Sequence, residues 1–273
     1  MDKTYSLSNG IKIPAIGFGT WEITPDEAAE KAVRTALEVG YRHIDTAKIY
    51  GNERGVGKAI RESGIPREEL FVTTKLWNSD QPYDDAIRAI EDSLERLGTD
   101  YVDLYLIHWP QTGTRSDAWC ALQDIYKSGK AKSIGVSNYT VRHLTELLES
   151  SDTVPMVNQV EFHPFIYDDQ KELLVFCKER GILVEAYSPL SRHSKISEPM
   201  VEEIAMSVGK TPSQVLLRWC LQHGTVPLPR SQNPAHIKEN YDIFDFVLTD
   251  DQMEILDGLS DGERVTWNPE TME

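Results

Sequence analysis

A chain of 273 residues, 40% of them hydrophobic, suffices for one large domain with a sizeable core, and residues 1–273 read as a single domain. Acidic side chains outnumber basic ones by 44 to 28, a formal charge of -16 that repels phosphate backbones, argues against nucleic acid as a partner and has solubility as its plain explanation. No run approaches the ~18 apolar residues of a membrane helix, the opening Met1–Gly10 lacks the apolar core of a secretion signal, and three widely spaced cysteines (Cys120, Cys177 and Cys220) suit neither a disulfide framework nor a zinc site. A cytoplasmic protein with no metal and no membrane partner is the expectation, each cysteine falling in a helical pattern as a buried thiol.

The chain opens on a hairpin pattern, Tyr5–Ser8 and Ile11–Ile13 flanking Asn9-Gly10, a pair that tolerates the positive φ angles of a type I′ turn. Strand patterns follow at Ala15–Gly19, Tyr41–Ala47, Leu70–Leu76, Val102–His108, Lys132–Asn138, Met156–His163, Ile182–Tyr187 and Thr225–Pro229, with helical stretches between them. The first helical stretch, Asp26–Val39, places Ala29, Ala32, Val33, Ala36 and Leu37 on one face. Thr24-Pro25-Asp26-Glu27 before it reads as a capping sequence, and Thr211-Pro212-Ser213-Gln214 repeats that grammar. Gly40, Gly129, Gly181 and Gly224 are placed to end helices.

Such alternation means a parallel sheet with right-handed crossovers. An open doubly wound sheet and a closed barrel both satisfy it. Nearly even spacing of eight units favours an α/β fold of the (β/α)8 TIM barrel type, with an N-terminal β-hairpin and extra C-terminal helices. No heptad run asks for a partner and a closed barrel has no free edges, so a monomer is expected.

In a barrel, chemistry sits at the C-terminal strand ends. Ile44-Asp45-Thr46-Ala47 ends the second strand, with Tyr50 just beyond; Thr73-Thr74-Lys75 ends the third and Leu106-Ile107-His108-Trp109 the fourth. Neighbouring strands lie ~4.8 Å apart, which brings Asp45, Lys75 and His108 within ~10 Å of one another. Singly, each has a bland reading: Asp as a cap, Lys snorkelling to solvent, His as a bonded core residue, Tyr as packing. Together, four ionisable groups meet in a cup flanked by Leu106, Ile107, Trp77 and Trp109.

That set fits carbonyl reduction. Hydride attack on C=O leaves an alkoxide that needs a proton, and a tyrosine of pKa ~10 can supply it. A lysine cation lowers that barrier by stabilising tyrosinate, Asp45 keeps Lys75 charged, and His108 can donate a hydrogen bond to the substrate oxygen. No side chain supplies hydride, so a cofactor is required. A barrel isomerase or lyase with Lys75 as Schiff-base nucleophile is the rival reading, although it needs neither Asp45 nor Tyr50.

Gly17-Phe18-Gly19 is not a dinucleotide fingerprint, because position 22 is Glu22, and the pair of glycines fits a role in relieving crowding. A better anion site follows the eighth strand, where Arg230-Ser231 precedes Asn233-Pro234 and a helix through Asn240.

With these residues in place the chain resembles the aldo-keto reductases. The likeness runs through Gly17–Trp21, Tyr41–Ala47 with Tyr50–Glu53, Lys75–Trp77, His108–Pro110, Gly135–Asn138, Asn158-Gln159, Ala186–Leu190 and Arg230–Asn240, nearly the whole chain. The resemblance implies a catalytic tetrad at Asp45, Tyr50, Lys75 and His108. It implies that Ser137, Asn138 and Gln159 bind the nicotinamide carboxamide, that Tyr187 stacks on the ring, that Ser188 and Leu190 touch the pyrophosphate, and that Thr20 and Asp45 approach the ribose. Trp21, Trp77 and Trp109 would line the substrate pocket with Tyr50 and His108, for a small carbonyl substrate. Connections after His108 and Tyr187 are short, and the tail Asp261–Glu273 carries Trp267, so an open, permissive pocket for small aldehydes, ketones, sugars or dicarbonyls is expected.

In that family the segment after the eighth strand usually reads Lys-Ser, then an Arg, then Glu-Asn. Here Ser231, Glu239 and Asn240 keep the pattern, while Arg230 and His236 depart from it. Arg230 retains a cation for a 2′-phosphate. An ordinary imidazole, of pKa ~6.5, is mostly uncharged at neutral pH, so His236 gives up a permanent charge. NADPH is therefore the expected cofactor, with NADH also accepted.

Overall fold

The computed structural model describes residues 3–271. It begins with an antiparallel hairpin of β1 (Thr4–Ser6) and β2 (Lys12–Pro14), Tyr5 lying opposite Ile13. The expected two-residue Asn-Gly turn does not form. The loop runs from Leu7 to Ile11, closed by Leu7 N–H to Ile11 O and Gly10 N–H to Leu7 O, each 2.9 Å, with Gly10 at φ +87°. Asn9 is employed elsewhere: its Nδ2 donates to Lys132 O at 3.0 Å and to Ser133 Oγ at 3.3 Å, which ties the hairpin to the barrel. Leu7 and Ile13 pack with Phe71, Leu104, Leu106, Met156 and Val157 as a separate apolar cluster. Phe71, Leu104 and Val157 open their strands, so the hairpin plugs the N-terminal end of the barrel and leaves the other end for chemistry.

Eight parallel strands follow in chain order, each paired with the next: β3 (Phe18–Gly19), β4 (His43–Asp45), β5 (Phe71–Leu76), β6 (Leu104–Ile107), β7 (Ile134–Ser137), β8 (Val157–Glu161), β9 (Leu183–Tyr187) and β10 (Val226–Pro227). Each falls inside its sequence pattern but is shorter, because the pattern marks burial, which extends past the residues that keep a regular ladder. Val102, for example, keeps only an isolated bridge to Ala131.

The seam between β3 and β10 is closed by Gly17 N–H to Pro227 O at 3.1 Å and Gly19 N–H to Pro229 O at 3.0 Å. A Cβ at position 17 would sit 2.5 Å from the Leu228 side chain and 2.6 Å from the His43 ring. The two glycines thus let the first and last strands approach.

Helices α1 (Asp26–Val39), α2 (Glu53–Glu62), α3 (Tyr83–Leu97), α4 (Arg115–Ser128), α5 (Val141–Ser150), α6 (Tyr167–Glu179), α7 (Pro199–Val208) and α8 (Pro212–Gln222) surround the strands, and α9 (Pro234–Tyr241) and α10 (Asp250–Asp257) follow β10. Thr211 caps α8 through a reciprocal box with Gln214. Thr24 does not cap α1, whose cap position is Pro25; Asp26 Oδ1 instead accepts from Gly55 N–H at 2.8 Å and links α1 to α2. Gly40 and Gly129 end α1 and α4 directly, while Gly181 and Gly224 stand two residues past the ends of α6 and α8, after Arg180 and His223. Cys177 and Cys220 are buried, but Cys120 is exposed: α4 buries Ala118, Trp119, Ala121, Leu122 and Ile125, which turns Cys120 outward. Among the described residues no helix is long and apolar enough to cross a membrane.

Candidate active site

Strand register sets the site. Asp45 ends β4, Lys75 lies on β5, and His108 and Trp109 follow β6 directly. A short 3-10 turn, Lys48–Tyr50, brings Tyr50 back over the strand ends. Lys75 is fully buried, and its Nζ donates to Asp45 Oδ1 at 2.6 Å, to Thr46 O at 2.9 Å and to the Tyr50 hydroxyl at 3.3 Å. The His108 ring meets Tyr50 edge-on at 5.7 Å between centroids and Trp77 at 5.3 Å. All four expected groups are therefore brought together.

Burial opposes the Lys75 ammonium, yet Asp45 and Tyr50 outweigh it and hold its pKa above the ordinary lysine value. Burial pushes the Tyr50 phenol up, the cation of Lys75 opposing and the Asp45 carboxylate adding. Burial, with Lys75 beside it, holds the His108 imidazole well below its usual range, so it is neutral at physiological pH. A protonated phenol beside a fixed ammonium, with a neutral imidazole next to it, can give up a proton to a developing alkoxide and stabilise the tyrosinate left behind.

These groups open into a cavity of about 850 Å³. It is lined at one end by Tyr50, Trp77, His108 and Trp109, and farther along by Ser137, Asn138, Gln159, Tyr187, Ser188, Leu190 and Arg230. Asn138 Nδ2 donates to His108 O at 3.0 Å, and Asn138 Oδ1 accepts from the Tyr187 hydroxyl at 2.8 Å. Gln159 Nε2 donates to Asp45 Oδ2 at 2.8 Å. Asn138 at φ +64° and Ser188 at φ +49° hold left-handed backbone beside the cavity, an unfavourable conformation found where structure serves a ligand.

The far end is cationic. The Arg192 guanidinium covers the Trp21 ring at 4.4 Å, with Arg230 5.8 Å from the same ring. Arg230 also pairs with Glu22 at 3.1 Å. Burial, followed by the nearby charges of His236 and Arg230, lowers the His193 pKa.

Several expected contacts do not line the cavity. Thr20 is buried, its hydroxyl donating to Asp45 O at 3.0 Å, and so holds the end of β4. Ser231 accepts from Asn233 N–H at 3.1 Å before α9, and Glu239 accepts from Thr211 Oγ1 at 2.7 Å. Asn240 is buried and His236 is exposed on the same helix.

Sequence reasoning missed Glu22, Arg192, His193, Arg264, Val265 and Thr266 on the cavity wall. Arg192-His193, two basic residues soon after a strand end, carried a signal. The sequence singled out the tail through Trp267 but gave no signal for Arg264, Val265 and Thr266, because these are placed by Glu161, a buried carboxylate on β8 that accepts from Val265 N–H at 2.7 Å, from His163 Nε2 at 3.0 Å and from Thr266 Oγ1. Trp267 consequently reaches Trp109, 5.8 Å between ring centroids.

A parallel barrel whose strand ends hold tyrosine, lysine, aspartate and histidine around an apolar pocket defines an oxidoreductase acting on carbonyl and alcohol groups. The model of the Aldo/keto reductase family matches residues 15–261, and the chain belongs to that family. It is 49% identical to a glyoxal reductase of Bacillus subtilis (strain 168), over 98% of this chain and 97% of that protein. Among solved structures it is similar to an aldo-keto reductase from a Medee basin deep-sea metagenome library, with a TM-score of 0.95 and 42% identity, covering 98% of this chain and 99% of that one. An aldo-keto reductase of Bombyx mori, solved in complex with NADP, gives a TM-score of 0.91 at 36% identity, covering 96% of this chain and 94% of that one.

Proposed function

We propose that this single-domain, cytoplasmic, monomeric protein uses NADPH to reduce small aldehydes and α-dicarbonyls to alcohols, with Tyr50 as proton donor. The observation that carries the reading is the buried Asp45–Lys75–Tyr50 chain beside a neutral His108. The cavity suits a nicotinamide dinucleotide: the amides of Asn138 and Gln159 and the Tyr187 ring share its wall with the catalytic groups, and the guanidinium groups of Arg192 and Arg230 line it too. In this reading Ser137, Asn138 and Gln159 hold the carboxamide and Tyr187 stacks on the ring. Ser188 and Leu190 line the pyrophosphate path, and Arg230, Ser231 and His236 meet the 2′-phosphate. Bound there, the reduced cofactor supplies the hydride.

The chain's own groups do the rest. His108 donates a hydrogen bond to the substrate oxygen and orients it. As negative charge grows on that oxygen, the Tyr50 hydroxyl passes its proton to it, and Lys75 stabilises the phenolate that remains. Asp45 keeps Lys75 charged and aimed. Trp77, Trp109 and Trp267 exclude water from the pocket, while Trp21 carries the Arg192 guanidinium. The name of the Bacillus relative supports glyoxal-like dicarbonyls as substrates.

A panel of simple aldehydes, ketones, sugars and α-dicarbonyls, followed by absorbance loss of NADPH and NADH in parallel, tests this. The dicarbonyls and aldehydes should give the highest kcat/KM with NADPH. No oxidation of either cofactor with any carbonyl would defeat the proposal.

A further inference from the structure

Behind the pocket floor lies a second carboxyl that the reduction does not use. Glu185, on β9, has no exposed surface. Its Oε2 accepts from Gln159 Nε2 at 2.8 Å, and that same nitrogen donates to Asp45 Oδ2 at 2.8 Å. Both amide hydrogens of Gln159 are thereby directed at carboxyl groups. Glu185 Oε1 has no hydrogen-bond partner. His43 Nε2 stands 3.6 Å from it, beyond hydrogen-bond length, and is bonded to Thr73 Oγ1 at 3.1 Å.

The titratable groups facing Glu185 are His43 and Asp45 from β4 and Lys75 from β5; Val226, opposite it on β10, carries no charge. Lys75 is the cation of this group and already serves Asp45, Thr46 O and Tyr50. His43 is neutral, since burial and then Lys75 push its pKa down to about 3. An ionised Glu185 would be a second buried carboxylate sharing one ammonium, with an oxygen unpaired, and retaining the proton is the lower-energy state. Burial, then Asp45, push its pKa up to about 8, with Gln159 and Lys75 opposing.

We propose that Glu185 is a positioning residue of the reductase site: as a neutral acid it fixes the Gln159 amide with Oε1 free for a ligand, and once ionised it makes the site favour oxidised over reduced nicotinamide. The inference rests on the reading that Gln159 receives the carboxamide. With both Nε2 hydrogens committed, Oε1 is the atom left to accept a carboxamide N–H. Oxidised nicotinamide carries a positive charge and the reduced ring carries none, so a carboxylate appearing one amide away attracts only the former.

The test measures dissociation constants of NADPH and NADP+ by quenching of tryptophan fluorescence, well below and well above pH 8, in wild type, Glu185→Gln and Glu185→Leu. Taking the ratio of the two constants cancels groups at the phosphate end, which both cofactors share. In wild type, NADP+ should tighten relative to NADPH by about tenfold as pH rises through that range. Glu185→Gln, which keeps an acceptor but cannot ionise, should give a flat ratio. Glu185→Leu, which removes the acceptor, should weaken both cofactors about tenfold, with Gln restoring the affinity. Infrared difference spectra of the cofactor-free protein should show an acid carbonyl band below pH 8 that Glu185→Gln lacks.

An equal pH slope in wild type and Glu185→Gln, or no acid band, overturns the proposal, and neither measurement depends on the Leu variant folding. Gln159→Ala with unchanged affinity for both cofactors would sink the carboxamide reading and this inference with it. Gln159→Ala weakened while Glu185→Leu binds like wild type would overturn the part assigned to Glu185 alone.

Discussion

The Lys75 ammonium lies 3.3 Å from the Tyr50 hydroxyl, the lysine fully buried and the phenol half-buried on the cavity wall. Burial alone makes that phenol a poor acid, and the cation beside it opposes the effect. Replacing Tyr50 by Phe removes the donor and leaves the cation. Turnover should fall by roughly 10²–10⁴-fold, with the NADPH dissociation constant near wild type. Stopped-flow measurement of the chemical step decides the matter, and a Tyr50→Phe enzyme keeping half its rate would remove Tyr50 from the mechanism.

Three acceptors around Nζ also hold Lys75 protonated, which disables it as a nucleophile. Borohydride added with an aldehyde substrate should leave no adduct on Lys75 by mass spectrometry; a stoichiometric adduct would favour a Schiff-base enzyme. Lys75→Met leaves the Asp45 carboxylate buried without its partner, and the fold should lose about 3–5 kcal/mol in denaturant titration. Adding Asp45→Asn should recover much of that loss.

Cofactor choice should depend on pH. His193 is held neutral by burial and by His236 and Arg230, so it gains charge only as pH falls, and a bound 2′-phosphate favours that gain. The ratio of kcat/KM for NADPH over NADH should therefore rise as pH falls from mildly alkaline toward neutral, above the second phosphate pKa of ~6. His236→Arg should raise it at neutral pH by very roughly 10–100-fold, the worth of one charged contact of ~1.5–3 kcal/mol. A wild-type preference already above about a thousandfold and unmoved by the substitution would show that His236 does not relax the site.

The tail should be pH-sensitive through Glu161. Burial opposes its charge, but His163, Thr266 and the Val265 N–H together hold its pKa below the ordinary glutamate value of 4.5. A carboxyl with a lowered folded pKa contributes stability above the unfolded value, and that stability is lost as pH falls through the folded one. Glu161→Gln should accordingly lower Tm at neutral pH, with the gap to wild type closing in acid. Because the tail carries Trp267 over the pocket, KM for the carbonyl should rise about threefold to tenfold while NADPH affinity holds, the loss of roughly one or two hydrogen bonds. Steady-state kinetics beside cofactor titration separates the two.

Light scattering should find one copy of the 31.0 kDa chain, since strand pairing and the Gly17 and Gly19 hydrogen bonds close the barrel and leave it no unpaired edge. A stable mass twice that value would refute the monomer.

The sequence by itself determined the alternation of strand and helix, the position of each strand end to within about two residues, and hence the meeting of Asp45, Tyr50, Lys75 and His108. Those follow from local rules: hydrophobic period, caps and the two-residue alternation of a strand. It also carried the placement of Arg230 ahead of the α9 N-terminus, because a cation before a helix start is a contiguous pattern. Tertiary structure decided the remainder. Asn9 abandons its tight turn because the barrel offers Lys132 O and Ser133 Oγ. Cys120 faces outward because α4 rotates its larger apolar residues inward. Arg192 reaches Trp21, Glu161 gathers the tail, and Glu185 shares an amide with Asp45, each pairing joining residues far apart in the chain. No window of sequence contains both members of such a pair, and only closure of the eight strands brings them to one another.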